Sequence, residues 1–175
     1  MRVALTLVAV ILFAGCGAKA SAPLPTLPAG ALPELSSSTE QVTLEDLASD
    51  FGSDVEAKLD WGFSRGSERV FQGESHRFDR VVSRTLEFDD AAGAQAYVDF
   101  FRSHLAAVFG TGTIASGLES KGRDGFLVDA ASCACHRAEP TLAALVARGS
   151  RVSYLEVNGG GAKPAAVVDL LTKAP

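Results

Sequence analysis

The first twenty residues restrict what this chain can fold into, because they have the composition of a segment that is removed from a mature protein. Arg2 gives a short positive start, residues 3–13 are apolar except for Thr6, and the small residues Ala14 and Gly15 follow. A positive start, an apolar stretch and a small-residue end, in this order, predict a secretory signal. The apolar stretch is also shorter than the roughly 20 residues that a membrane-spanning helix needs. The fold is therefore expected to come from the residues that follow.

The signal ends in a cysteine, and its context indicates a modification there. Ala14-Gly15-Cys16 resembles the lipobox of bacterial lipoproteins, with Phe13 where that motif usually carries Leu, Val or Ile. The resemblance implies that residues 1–15 are removed and that Cys16 is lipidated and becomes the first mature residue. It implies a lipid anchor in the cell envelope, on the outer face of the cytoplasmic membrane or on the outer membrane if the cell has one. An uncleaved membrane helix and an ordinary signal cleaved elsewhere are the alternatives.

Residues 16–42 have the composition of a linker. They contain four of the seven prolines of the chain, at positions 23, 25, 28 and 33, followed by Ser36-Ser37-Ser38. Proline fixes φ and favours an extended backbone, which rises about 3.1 Å per residue in a proline-rich spacer. We therefore expect a disordered but semi-rigid tether that lifts the domain several tens of ångströms from the membrane.

Residues 43–175 have the usual length of one domain with a single core. The whole chain carries a formal net charge of −5. A mildly acidic chain with scattered basic residues lacks the positive surface that nucleic acid binding requires, so we expect no nucleic acid partner.

The sequence of this region alternates between helix and strand patterns. Asp89 or Asp90 caps the strongest predicted helix, residues 91–109, in which apolar side chains recur every three or four positions. Further helices are predicted at 44–51 and from Pro164 to about Lys173. Runs of apolar and β-branched residues bounded by turn residues predict strands, whereas a Gly- and Thr-rich stretch predicts a loop at 110–117. The predicted strands are 69–72, 80–88, 125–130, 142–147 and 151–157.

This order of elements favours an α+β fold. We predict a single small domain, an antiparallel sheet covered on one face by the long helix and the C-terminal helix. The junction Phe88-Asp89-Asp90-Ala91-Ala92-Gly93-Ala94 and the turn Arg148-Gly149-Ser150-Arg151-Val152 resemble those of small secreted lipoprotein domains of actinobacteria. The resemblance covers about residues 60–173 and implies an α/β sandwich. It transfers no functional residue to this chain.

Two cysteines remain once Cys16 is assigned to lipid. They lie in Ser132-Cys133-Ala134-Cys135-His136. An even pair in an oxidising compartment favours a disulfide. Two thiolates beside His136 could instead bind Cu(I) or Zn(II), with His76 and His104 as distant further ligands. A redox-active dithiol is the third interpretation, although such motifs usually have two residues between the cysteines.

Catalytic signals are weak. Gly62-Phe63-Ser64-Arg65-Gly66 matches G-x-S-x-G, a pattern that exposes a nucleophilic serine on a strand-to-helix turn. Asp129 and His136 follow in the order of a catalytic triad. The residues after Ser64 indicate a turn and a strand rather than a helix, so we interpret the match as a coincidence. We expect no catalytic residue and no cofactor.

Arg84 is the basic residue whose position is hardest to explain by solvation. It shares strand parity with Val82, Leu86 and Phe88, which are expected to face the core. Its stem could lie along the core while its head reaches water or a carboxylate, or the side chain could line a pocket for an anion. Arg84 is therefore the candidate for a ligand pocket.

Together these patterns predict a membrane-anchored envelope lipoprotein with a non-catalytic binding, scaffolding or sensor domain. Its partners would be the membrane, through Cys16, and an envelope ligand or protein that the sequence does not identify. The alternative is a metal-handling or thiol-redox protein that uses Cys133, Cys135 and His136.

Overall fold

An antiparallel sheet of seven strands organises the computed structural model, which describes residues 22–52, 61–75, 77–110, 114–117, 124–130 and 140–174. The order of the strands across the sheet is β1-β2-β3-β7-β6-β5-β4, and each neighbouring pair is antiparallel. In chain order the strands are β1 Ser36–Val42, β2 Phe63–Gln72, β3 Arg80–Phe88, β4 Ile114–Gly117, β5 Asp124–Ala130, β6 Thr141–Arg148 and β7 Arg151–Asn158.

Four α-helices accompany the sheet in the described residues, together with a short 3-10 turn at Ala29–Ala31. They are α1 Leu44–Ser49, α2 Ala91–Ser103, α3 Leu105–Phe109 and α4 Pro164–Lys173. The prediction of a single α+β domain is confirmed.

Both faces of the sheet are covered, which corrects the expectation of one covered face. On one face Tyr97 and Phe101 of α2 pack with Leu145 in one core. On the other face Val167 and Leu170 of α4 pack in a second core. The interior strand β6 shows that both faces are covered, because its residues 142–146 are all buried. A continuous apolar run of this kind is typical of a strand with two covered faces.

Residues 22–42 belong to the domain, so the predicted linker is wrong over this range. Leu24, Leu27, Leu32 and Leu35 are buried in this segment, and the following residues form β1, which pairs with β2. The prolines keep the chain extended, as expected, but the leucines between them pack onto the sheet.

Hydroxyl groups on the sheet satisfy the backbone of this extended segment. The Leu24 N–H donates to Ser67 Oγ at 2.8 Å, and the Leu27 N–H donates to Ser83 Oγ at 2.9 Å. Thr85 Oγ1 donates to the Pro25 carbonyl oxygen at 2.7 Å. Buried backbone groups need such partners when no strand lies beside them.

The long predicted helix 91–109 is two helices. Asp90 caps α2 by accepting a hydrogen bond from the Gly93 N–H at 2.8 Å. At His104 the backbone leaves the helical region, with φ −118° and ψ 23°, and α3 begins at the next residue. The apolar spacing continues across this break, so the pattern alone predicts one helix.

Two strand predictions also change. The stretch 110–117 was expected to be a loop, but its last four residues form β4 beside β5. β2 begins at Phe63 rather than at 69, and Gly66 lies within it. A Cβ at this glycine would lie 2.7 Å from the Val42 Cβ, so the absence of a side chain allows β1 and β2 to pack closely. Glycine weakens a strand pattern, which is why the sequence predicts only the later part of β2.

Candidate functional site

A charged cleft lies on the α2 face of the sheet, with a volume of about 310 Å³. Strands β2, β3 and β7 form its floor, and the end of α1 together with α2 and α3 forms its walls. Its charged residues are Asp50, Glu68, Arg80, Arg84 and Glu156, and its remaining residues are Val82, Phe101, Val108, Phe109 and Tyr154.

The strand register brings the floor residues together. Glu68 of β2 lies opposite Arg84 of β3, and Arg84 lies opposite Tyr154 of β7. Directly opposed residues on one face of a sheet have Cβ atoms about 5 Å apart. One row across three strands therefore places a carboxylate, a guanidinium and a phenol side by side. The parity argument correctly placed Arg84 on the face of Leu86.

The guanidinium of Arg84 binds two carboxylates. Its Nε donates to Glu68 Oε2 at 2.7 Å, and its Nη1 donates to Asp50 Oδ2 at 2.5 Å. It also lies 5.7 Å from the centre of the Tyr154 ring. The side chain of Arg84 is only 13% exposed. Arg84 thus lines a cavity, but these donors hold carboxylates of the chain itself rather than an added anion.

Electrostatics keeps Arg84 charged. Burial disfavours the guanidinium charge, but the carboxylates of Asp50 and Glu68 outweigh it, so the pKa of Arg84 is raised above its ordinary value. A buried cation with two hydrogen-bonded carboxylates is a fixed charge at every physiological pH.

A second set of polar contacts lies beside the first. Arg80 Nη1 is 3.1 Å from Glu156 Oε1, and the Tyr154 hydroxyl donates to Glu156 Oε2 at 2.5 Å. Burial, followed by the charge of Glu156, raises the pKa of Tyr154. Burial also raises the pKa of Tyr97, against the opposing charge of Arg84. Both phenols are therefore neutral at physiological pH.

Half of the described residues that line the cleft are charged. They include three carboxylates and two guanidinium groups, but no histidine, serine, cysteine or lysine. The carboxylates exceed the guanidinium groups by one, so the ionised side chains of the cleft carry one excess negative charge.

Sequence reasoning missed most of this site. Arg84 is predicted from the sequence, whereas Asp50, Glu68, Tyr154 and Glu156 are not. The sequence does hold a usable signal for Glu156, since it lies two residues after Tyr154 on β7 and therefore on the same face of the sheet. Asp50 gives no such signal, because it caps the C-terminus of α1.

Ser64 does not occupy the position of a hydrolase nucleophile. It lies in β2, which continues as a strand to Gln72, and its Oγ donates to Asp89 Oδ1 at 2.7 Å. The hydrolase pattern needs a serine on a sharp turn between a strand and a helix. Asp129, the residue considered as its partner, is exposed on β5.

His104, considered from the sequence as a distant metal ligand, takes part in aromatic packing, and so does Trp61. The ring of His104 stacks on Phe100 with centroids 3.8 Å apart, and its Nδ1 lies 2.8 Å from the Phe100 carbonyl oxygen. Trp61 packs against Tyr97, with centroids 5.2 Å apart.

Several candidate residues lie outside the described residues. They are Cys16, His76, Cys133, Cys135 and His136. In the part of the chain that is described, no three histidine, cysteine, aspartate or glutamate side chains are placed to hold a metal ion. None of the helices in the described ranges is long and apolar enough to cross a bilayer.

Comparison with known proteins gives one distant likeness. No protein family matches the chain, and no curated protein is similar to it in sequence. The structure is similar to the extracellular domain of PknH from Mycobacterium tuberculosis, with a TM-score of 0.48 and 11% identity over 78% of this chain and 79% of that one. A similarity this distant assigns neither a family nor a function.

Proposed function

We propose that this protein is a cell-envelope lipoprotein, anchored through Cys16, whose domain binds a small ligand and catalyses no reaction. The signal and the lipobox-like residues before Cys16 support the anchor. The charged cleft on the α2 face supports binding, and this is the observation that carries the proposal. Its polar groups are held in place by one another, as expected of a preorganised site.

The ligand that suits the cleft is a small molecule with a cationic group. Asp50, Glu68 and Glu156 exceed Arg80 and Arg84 in number, and Tyr154 and Phe109 add aromatic surface. Aromatic rings beside carboxylates attract ammonium and guanidinium groups. Arg80 is the more exposed of the two arginines, with 43% of its side chain accessible. Its displacement from Glu156 would leave a carboxylate for the ligand.

Calorimetric titration of the detergent-solubilised full chain tests the ligand class, with putrescine as the cationic probe and inorganic phosphate as the anionic one. We expect saturable binding of putrescine alone. Glu156→Gln keeps the acceptor for Tyr154 but removes the charge, so it should weaken putrescine binding about tenfold, as loss of a charge-assisted hydrogen bond does. Glu45→Gln removes an exposed charge from the first turn of α1 and should leave binding unchanged. Binding of phosphate instead, or an equal effect of both variants, would contradict the proposal.

The anchor has a separate test. Cys16→Ser should abolish lipidation, so that the precursor stays unprocessed or the protein is released from the membrane fraction. Cys135→Ser is the matched control for a cysteine away from the signal, and it should remain membrane-bound. Retention of a processed Cys16→Ser protein in the membrane fraction would count against lipidation.

A further inference from the structure

The end of the described chain nearest to Cys16 is fixed at one end of the sheet. The Ala22 carbonyl oxygen accepts a hydrogen bond from Arg65 Nη1 at 3.2 Å, and Leu24 is held by Ser67. Arg65 and Ser67 lie near the start of β2. The chain therefore enters the domain beside the first residues of that strand.

Antiparallel pairing defines the two ends of the domain. The entry end contains the end of β1, the start of β2, the end of β3 and the start of β7. The opposite end contains Gln72, Arg80 and Asn158. The ten residues of β2 separate the two ends by about 30 Å at roughly 3.3 Å per residue.

The tether is shorter than the sheet. Because residues 22–42 belong to the domain, only residues 16–21 connect the cysteine to Ala22. Fully extended, six residues reach about 20 Å. An orientation with the opposite end on the membrane would place Ala22 about 30 Å from the surface, beyond the reach of this tether. An anchor at Cys16 thus excludes the inverted orientation.

The entry end also carries an apolar surface. Leu44 is 43% exposed, more than any other large hydrophobic side chain of the described residues. Together with Ala22, Pro23, Phe63 and Arg65 it lines one side of a cavity of about 340 Å³, whose other lining residues include Gln41, Thr43, Ser64 and Ser67. We call Leu44 and the first four of these residues the entry patch. Arg65 is paired with Glu87 at 2.6 Å, and the exposed carboxylates of Glu45 and Asp46 follow Leu44 in the first turn of α1, so the patch carries no excess positive charge.

We propose that the entry patch docks on the lipid surface, so that the domain stands upright with its opposite end facing away from the membrane. This inference rests on the proposed anchor at Cys16. The tether brings the patch to the bilayer, and burial of Leu44 and Phe63 in the interface favours that contact. Because the patch has no excess positive charge, its docking requires no anionic lipid. In this orientation the charged cleft opens on the side of the domain, above the bilayer.

Single-tryptophan variants of the lipidated full chain test the orientation. Trp61→Phe removes the one native tryptophan, and Leu44→Trp or Glu74→Trp then adds one at the entry end or the opposite end. In phosphatidylcholine vesicles with headgroup spin labels, we expect the tryptophan at position 44 to lose most of its fluorescence and that at position 74 to keep it. Equal quenching, or stronger quenching at position 74, would overturn the orientation.

The unsubstituted protein provides a second readout. Hydrogen exchange in peptides covering residues 40–46 should be slower in the lipidated protein on vesicles than in the Cys16→Ser protein in detergent-free solution. Exchange in peptides covering residues 72–75 should be the same in both samples. Equal exchange in both peptides would overturn docking of the patch. Flotation of the vesicles reports the anchor independently. Protein that does not float contradicts the lipid anchor, whereas protein that floats without protection at 40–46 contradicts only the orientation.

Discussion

Glu68 and Arg84 face each other across β2 and β3, and the Arg84 Nε donates to the Glu68 carboxylate at 2.7 Å. Asp50 binds the same guanidinium from α1. One arginine thus joins a helix end to the middle of the sheet. Each of the three side chains is at most one quarter exposed, so their charges depend on one another.

Replacing Arg84 should destabilise the domain. Arg84→Met would leave Asp50 and Glu68 without their cation, and loss of one partner from a buried ion pair costs about 3 kcal/mol. The free energy of unfolding in urea measures the loss. Arg65→Met is the matched control, because its ion pair with Glu87 is more exposed and should contribute no more than about 1 kcal/mol. Equal losses in the two variants would show that burial of the Arg84 cluster contributes nothing.

The packed N-terminal segment gives a second prediction. Leu27 is completely buried, so Leu27→Ala should lower the free energy of unfolding by about 3 kcal/mol. Pro28→Ala changes the exposed residue next to Leu27 and serves as the control, because it removes no buried side chain. A disordered linker would be insensitive to both changes, and an unchanged urea midpoint for Leu27→Ala would restore that interpretation.

Glu87 should make stability depend on pH. Hydrogen bonds from Arg151 and Arg65 lower the pKa of Glu87 below its ordinary value of 4.5. The folded state therefore binds this proton less readily than the unfolded state, and the stabilisation is fully present above pH 4.5. It decreases as the pH falls below that value and is lost below the folded pKa. The free energy of unfolding should therefore be higher for the wild type than for Glu87→Gln at pH 7, and the two values should converge in acid. A difference that stays constant with pH would contradict this.

The cysteine pair remains a prediction from the sequence. We expect Cys133 and Cys135 to form a disulfide, so alkylation of the denatured Cys16→Ser protein should label no thiol before reduction and two after it. Addition of Cu(I) tests the alternative. Two free thiols with stoichiometric copper uptake would favour metal handling instead.

The elements that the sequence predicted well are those that local chemistry determines. β3 is rich in apolar and β-branched residues, and Pro164 occupies the first turn of α4, so both were predicted with their observed bounds. β4 depends on β5 for its hydrogen bonds, and its glycine and serine residues carry no strand signal of their own. The prolines of the N-terminal segment predicted an extended backbone correctly. They gave no indication that Ser67 and Ser83 would bind it.

The site was predictable only in part for a similar reason. Parity along one strand places Arg84 inward, because that periodicity is a property of the strand alone. Its partners Asp50 and Glu68 come from two other elements, and their proximity depends on register and on where α1 ends. Such relationships arise from the tertiary structure, and no spacing in the sequence records them.

The two serine contacts of the N-terminal segment also determine when it can fold. Leu24 and Leu27 are bound by residues 43 and 56 positions later in the chain, so their binding sites do not exist until β2 and β3 have paired. Contacts of long range form late, since closing the intervening loop costs entropy first. In pulse-labelled hydrogen exchange during refolding, we expect the amides of Leu24 and Leu27 to gain protection after those of the β2–β3 hairpin. Simultaneous protection would contradict this order. Under the proposed cleavage before Cys16, residues 22–27 would therefore stay unfolded, and open to processing enzymes, until the hairpin has formed.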